Sequence, residues 1–75
     1  MRITYDSEVD ALYIHFKETT TTTRDLGDGI AADFDAEGRL AGIEILDAMR
    51  RLGDPRVFSQ VVLEDVGIGA LRKAI

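Results

Sequence analysis

The segment from Asp33 to Glu44 constrains the fold of this chain more than any other. Ile30 to Phe34 and Arg39 to Ile45 have strand composition, and between them lies Asp35-Ala36-Glu37-Gly38. Asp suits the first position of a type I turn because its carboxylate accepts from the following backbone amides. Gly38 suits the closing position because only glycine reaches φ > 0 without steric cost. The pattern predicts a tight β-hairpin. A three-residue loop sets Asp35 opposite Arg39, Phe34 opposite Leu40 and Ala32 opposite Gly42, pairing opposite charges at the mouth with apolar groups behind them. In that strict register Phe34 and Leu40 share one face, while Ala31, Ile43 and Ile45 share the other. Strands apolar on both faces need cover on both. Helices are expected over one face and a second copy of the chain over the other.

Period-two alternation extends the sheet toward the N-terminus. Ile3 and Tyr5 fall on one side of a first strand, Asp6 to Asp10 is turn-rich, and Ala11 to Lys17 resumes the pattern. Leu12, Ile14 and Phe16 share one face of that strand, with Ala11, Tyr13, His15 and Lys17 on the opposite one. The run Thr19 to Thr23 favours extended backbone because branched side chains restrict χ1. It reads as an exposed edge strand or extended loop leading into Leu26-Gly27-Asp28-Gly29. Further on, Asp47 is placed to cap a short helical turn from Ala48 to Leu52, stopped by Gly53. Asp54-Pro55 resembles a cap followed by proline at the first helical position. Val57, Phe58, Val61 and Val62 recur at helical spacing, but their branching keeps a strand reading open, so 55–66 is helix or strand. Gly67 and Gly69 precede Ala70 to Ile75, a terminal helical turn on this reading. The expected architecture is a single α+β domain. It has a small antiparallel β-meander of about four strands over 1–46 and short C-terminal helices, within 47–75, packing on one face.

Composition narrows the function classes. The chain has 75 residues, room for one hydrophobic core. A domain of this size buries only about 60% of its unfolded surface, and small scaffolds compensate with disulfides, a metal or oligomerisation. There are no cysteines and one histidine, which removes disulfides, thiolate zinc and multi-imidazole zinc together. A homodimer or higher homo-oligomer is the remaining expectation. Nine basic against fourteen acidic residues give a net charge of −5. Nucleic-acid binding needs a basic footprint, and Arg50-Arg51 and Arg72-Lys73 are short pairs that suit helix C-termini instead. An anionic membrane surface would repel the chain, whereas a basic protein partner would be drawn to it. The N-terminal Met-Arg-Ile-Thr-Tyr-Asp lacks the apolar stretch of a signal peptide, and no run approaches the ~20 apolar residues of a membrane span. A soluble cytoplasmic protein is expected.

Asp33-Phe34-Asp35-Ala36-Glu37-Gly38 followed by Glu44 nearly matches the calcium-loop pattern, with Glu37 as the one deviation. Asp33, Asp35, Glu37 and Glu44 are therefore the candidate metal ligands. The flanks oppose that reading. An EF-hand needs a helix entering at Asp33, and Leu26-Gly27-Asp28-Gly29-Ile30 does not hold one. In a strand Glu44 points away from the turn and cannot close a cage, so the acids read as turn chemistry and surface charge. Asp33 and Glu44 each interrupt an apolar strand and form a candidate acid–base pair. Catalysis would also need a concave pocket, which a small meander offers only at a subunit interface. His15 has no Ser, Cys or ligand partner at usable spacing, so packing is the simpler role. No nucleophile constellation, phosphate loop or cofactor motif stands out, and a non-enzymatic module is expected. Its interaction surface is sought at Tyr13, His15, Ile43, Glu44 and Ile45.

Two stretches carry a resemblance. Tyr5-Asp6 with Asp10-Ala11-Leu12-Tyr13-Ile14, and Asp33 through Ala48 with its Gly42-Ile43-Glu44-Ile45-Leu46 segment, resemble the domain of unknown function family 2283, a family of small prokaryotic proteins. Two departures are Phe34, where the family often has tyrosine, and the long threonine run. The resemblance covers roughly the first two-thirds of the chain. It implies a small β-rich fold and a prokaryotic, cytoplasmic origin, and it supplies no mechanism. By analogy with other small acidic proteins, an antitoxin-like binder of a basic toxin is the more specific expectation.

Overall fold

A computed structural model describes residues 1–64. They form an antiparallel sheet of five strands: β1 (Arg2–Asp6), β2 (Ala11–His15), β3 (Thr22–Gly27), β4 (Ile30–Phe34) and β5 (Leu40–Leu46). A helical turn α1 (Ala48–Leu52) and a 3₁₀ turn (Pro55–Phe58) follow. The domain is mostly β, richer in strand and poorer in helix than the α+β expectation. The threonine run supplies the additional strand. Its branched residues enter β3, which among the described residues pairs only with β4 and forms one edge of the sheet.

The strand order is β1-β2-β5-β4-β3, which differs from a simple meander. After the β1–β2 hairpin the chain crosses to the far edge and returns through β3, β4 and β5, so β5 lies against β2. The crossover is tied down where it passes the hairpin turn. The backbone amides of Phe16 and Lys17 donate to the Ala41 carbonyl at 2.8 and 3.3 Å, and Lys17 forms an ion pair with Asp35.

The β4–β5 turn forms as its residues dictate. The Asp35 carboxylate accepts from the amides of Glu37 and Arg39, Gly38 adopts φ +80°, and the Asp35 amide donates to the Arg39 carbonyl at 2.8 Å. Phe34 pairs with Leu40 as expected. One step further the strict register fails. Asp33 pairs with Gly42 and Ala32 with Ile43, because Ala41 is an extra residue in β5. A one-residue bulge transfers every later side chain to the opposite face. Ile43 and Ile45 consequently join Phe34, Leu40, Ala32 and Ile30, while Gly42 and Glu44 join Asp33 and Ala31. The hairpin is apolar on one face only, and the inference of two apolar faces is corrected.

The apolar face holds one row of Ile3, Ile14, Ile43 and Ala32 and another of Tyr5, Leu12, Ile45 and Ile30. The 3₁₀ turn covers its Tyr5 end, where the rings of Tyr5 and Phe58 lie 5.8 Å apart and Leu12 is 6% exposed. The opposite end is open: Ile3, Phe16 and Leu40 are 43%, 37% and 45% exposed. Among the described residues no large side chain is fully buried, and the core consists of Ala11, Leu12, Ala32, Ala41 and Ala48.

Two helix caps were expected and one forms. The Asp54 carboxylate accepts from the Arg56 amide, with Pro55 opening the turn. Asp47 instead sits in the left-handed region at φ 53°, makes no side-chain cap and pairs with Arg50. The cap comes from a distant residue: the Asp10 carboxylate accepts from the Met49 amide at 2.9 Å and from the Tyr5 hydroxyl at 2.7 Å. In the stretch left open between helix and strand, 55–58 is a 3₁₀ turn and 60–64 has no regular structure. The terminal helical turn expected at 70–75 lies outside the described residues.

Candidate functional site

The second face of the sheet is polar, and the pairing register builds it in two adjacent rows. Arg2, His15, Gly42, Asp33 and Thr23 cross the strands in one, and Thr4, Tyr13, Glu44, Ala31 and Asp25 in the other. Gly42 lies at the centre. A Cβ there would meet the Ile14 carbonyl oxygen at 2.8 Å and an Asp33 carboxylate oxygen at 3.4 Å. The missing side chain therefore lets β2 approach closely and lets the Asp33 carboxylate fold inward.

Asp33 is the most enclosed acid among the described residues, 9% exposed, and the Thr23 hydroxyl donates to its Oδ1 at 2.6 Å. The same hydroxyl oxygen lies 3.5 Å from Glu44 Oε2. Glu44, two residues beyond Gly42 in β5, is held above its ordinary value of 4.5. A hydrogen bond shared with Asp33 is the largest cause, because it favours a proton on Glu44. Partial burial and the Asp33 charge act in the same direction, and the Thr23 hydroxyl opposes them. Tyr13 and His15 stack beside the pair, their ring centroids 6.1 Å apart and their planes inclined by 22°, with Thr4 Oγ1 3.4 Å from His15 Nε2. On the other side, Asp25, Asp28 and Glu44 wall a cleft of about 370 Å³ over Ala31 and Leu46. This face gathers two carboxylates around one threonine hydroxyl and offers hydrogen-bond acceptors to a cationic group.

The structure brings together only part of the expected site. Asp33 and Glu44 converge. Asp35 and Glu37 remain at the hairpin tip, engaged with Lys17 and Arg39. Among the described residues no group of three or more His, Cys, Asp or Glu side chains is gathered to hold a metal ion. Of the expected interaction residues, Tyr13, His15 and Glu44 occupy the polar face, while Ile43 and Ile45 lie on the apolar one. Thr23 and Gly42 were not anticipated. A glycine inside a strand signals a close approach, and Gly42 carried that signal. Thr23 carried none within its run of identical neighbours.

Asp35 and Glu44 are shifted in opposite directions and so contribute to the pH response with opposite sign. Lys17 and the Arg39 and Glu37 amides hold the Asp35 carboxyl down at about 2, so its contribution is present above its ordinary value of 3.8 and is lost as pH falls toward 2. Glu44 is shifted the other way. Its contribution is complete below 4.5 and is lost as pH rises through its higher folded-state value. Glu44→Gln is expected to remove the decline on the alkaline side and leave the acid side unchanged. Melting curves recorded from acidic to neutral pH check this; a variant with the parent's alkaline decline would exclude Glu44 as its source.

A family model described as protein of unknown function (DUF2283) matches residues 2–48. That span runs from the start of β1 to the first residue of α1 and contains the whole sheet. No curated protein and no solved structure matches the chain. Among the described residues no helix is long and apolar enough to cross a membrane.

Proposed function

This chain belongs to the DUF2283 family of proteins of unknown function, and from the geometry of its own residues we propose that it is a non-enzymatic, self-associating module that acts through protein contacts. The observation that carries this reading is the chemical sorting of the sheet into one polar face and one apolar face open at one end. A sheet must bury its apolar face against another layer, and the described helical turns reach only the Tyr5 end. Sedimentation equilibrium of the full chain is the test. Association at micromolar concentration is expected, and a monomer throughout would remove the proposal.

The more specific version is an antitoxin-like binder of a basic protein. It is supported by the net charge of −5 and by the cleft beside Glu44, whose carboxylates over a small apolar floor suit a lysine or arginine side chain. A small basic protein encoded by a neighbouring gene is the partner to co-express. Co-purification that weakens with salt is expected, and failure of the pair to co-purify at low salt would dispose of this version.

A second reading is favoured by the convergence of Asp33 and Glu44 on Thr23. In it these acids belong to a small-ligand or calcium site completed at a subunit boundary. Calorimetric titration with calcium distinguishes it. This reading requires a binding heat and a raised melting temperature, and neither is expected if the acids serve only protein contacts.

A further inference from the structure

Resting on the self-association proposed above, we infer that two copies join edge to edge, β1 antiparallel to β1, in a register centred on Thr4. The sheet ends at β1 on one side and at β3 on the other. Among the described residues β1 pairs only with β2, and no backbone hydrogen bond reaches its outer edge. An unpaired edge is a template for another strand. A twofold axis perpendicular to the sheet keeps both apolar faces on one side, so opposed residues must share a face. The full pairing of Arg2–Asp6 is then fixed. Arg2 meets the partner's Asp6, Ile3 meets the partner's Tyr5, and Thr4 meets the partner's Thr4. Every pair matches. Opposite charges lie at both ends, apolar side chains lie inside them on the apolar face, and two threonines meet at the axis. Ile3 and Tyr5 are 43% and 38% exposed in the single chain, and the pairing covers their open flank. Arg2, already paired with Glu18, and Asp6, whose carboxylate accepts from the Glu8 amide, are both exposed. Their contacts therefore set register more than affinity.

Charge selects a second copy of β1 over the other strands available to this edge. A strand from the segment following the 3₁₀ turn would need an acid and a base four positions apart to face both Arg2 and Asp6. In residues 59–75 the acids are Glu64 and Asp65 and the bases Arg72 and Lys73, at least seven positions apart. No register of that segment, parallel or antiparallel, matches both ends of β1. The other free edge is no better suited to pair with itself. The fullest self-pairings of β3 centre on Arg24 or Asp25 and set like charges against each other, and a bulge between Asp25 and Gly27 interrupts its ladder. Pairing β1 with the β3 edge of another copy would leave one edge of each kind open and add copies without end. Pairing β1 with β1 closes. The assembly stops at two copies, and both of its outer edges are the bulged β3.

The test uses the full chain, which has no cysteine of its own. Directly opposed residues of antiparallel strands have Cα atoms ~4.5–5.5 Å apart, within the span a disulfide bridges. Thr4→Cys is therefore expected to give a covalent dimer on mild oxidation, and Thr22→Cys, on the β3 edge, only a collisional background. Equal cross-linking of the two would overturn the pairing. Charge reversal reads the register. Arg2→Asp places an acid opposite the partner's Asp6 at both ends of the ladder, and Asp6→Arg places two bases opposite each other there. Each variant alone is expected to self-associate about tenfold more weakly in sedimentation equilibrium. Mixed together, the two are expected to recover the parent's affinity, because both ends of the mixed pair then join opposite charges. A purely intramolecular role for Arg2 or Asp6 gives no such recovery, and far-UV circular dichroism checks that both variants fold. Variants that associate like the parent, or that do not recover on mixing, would overturn the register. An associated parent whose Thr4→Cys form does not cross-link would overturn edge pairing while leaving self-association standing. A monomeric parent would overturn this inference and the proposal beneath it together.

Discussion

Replacing Gly42 by alanine is expected to destabilise the sheet, although alanine ordinarily stabilises a strand relative to glycine by roughly 0.5–1 kcal/mol. The sign reverses because the added Cβ would lie 2.8 Å from the Ile14 carbonyl oxygen, which is backbone and cannot rotate aside. Relief requires β2 and β5 to separate at the His15–Gly42 pair, in the middle of the sheet. Overpacking of this kind costs about 1–3 kcal/mol, leaving a net loss on the order of 1–2 kcal/mol. For a domain of this size that lowers the melting temperature by roughly 4–15 °C. Valine should exceed alanine, since its branches add bulk beyond a Cβ that already lies 3.4 Å from the Asp33 carboxylate. Thermal unfolding of the two variants measures the effect. A melting temperature equal to or above the parent's for Gly42→Ala would show that the close approach of β2 does not constrain this site.

The second large effect is expected at Asp10, which joins the first hairpin to α1. One of its carboxylate oxygens accepts from the Tyr5 hydroxyl and from the Met49 amide, and its carbonyl accepts from the Ala48 amide at 3.0 Å. Those hydrogen bonds hold its carboxyl below the usual range, the Met49 amide first and the Tyr5 hydroxyl second. Its backbone lies in the left-handed region at φ 53°, where Asp and Asn are tolerated better than alanine. Asp10→Ala therefore removes a helix cap, leaves the Tyr5 hydroxyl without its partner and strains the turn in one substitution. A fall in melting temperature of roughly 10 °C is expected, together with faster amide exchange at Met49. Asp10→Asn keeps an acceptor oxygen and the backbone preference, so it should lose much less. Equal losses for the two would assign the effect to the charge alone. The direction of the shift also fixes the pH dependence: the Asp10 contribution is present above its ordinary value of 3.8 and is lost as pH falls below it.

The hairpin was legible because its determinants are local. Asp35 and Gly38 specify the turn through hydrogen bonds and a dihedral angle that depend on neighbours no more than four residues away. The alternation of Leu12, Ile14 and Phe16 against Tyr13 and His15 was legible for the same reason. The bulge at Ala41 was not, because its carbonyl accepts from Phe16 and Lys17, at the start of the crossover and more than twenty residues away in sequence. Asp10 as the cap of α1 was hidden similarly, 39 residues from the amide it satisfies. Of the candidate site, the acids Asp33 and Glu44 stood out as interruptions of apolar strands. Their convergence on Thr23 depended on β3 pairing with β4 in one particular register.

Sequence alone determined that this chain makes a tight hairpin and a small acidic β domain, since turn chemistry, period-two alternation and composition are properties of short segments. Only the tertiary structure decided which side of the hairpin is apolar. One extra residue in β5 turned Ile43 and Ile45 toward the core side and Glu44 toward Asp33. In a strand every side chain beyond a bulge changes face, so the character of both surfaces rests on a single backbone hydrogen-bonding choice made across the sheet.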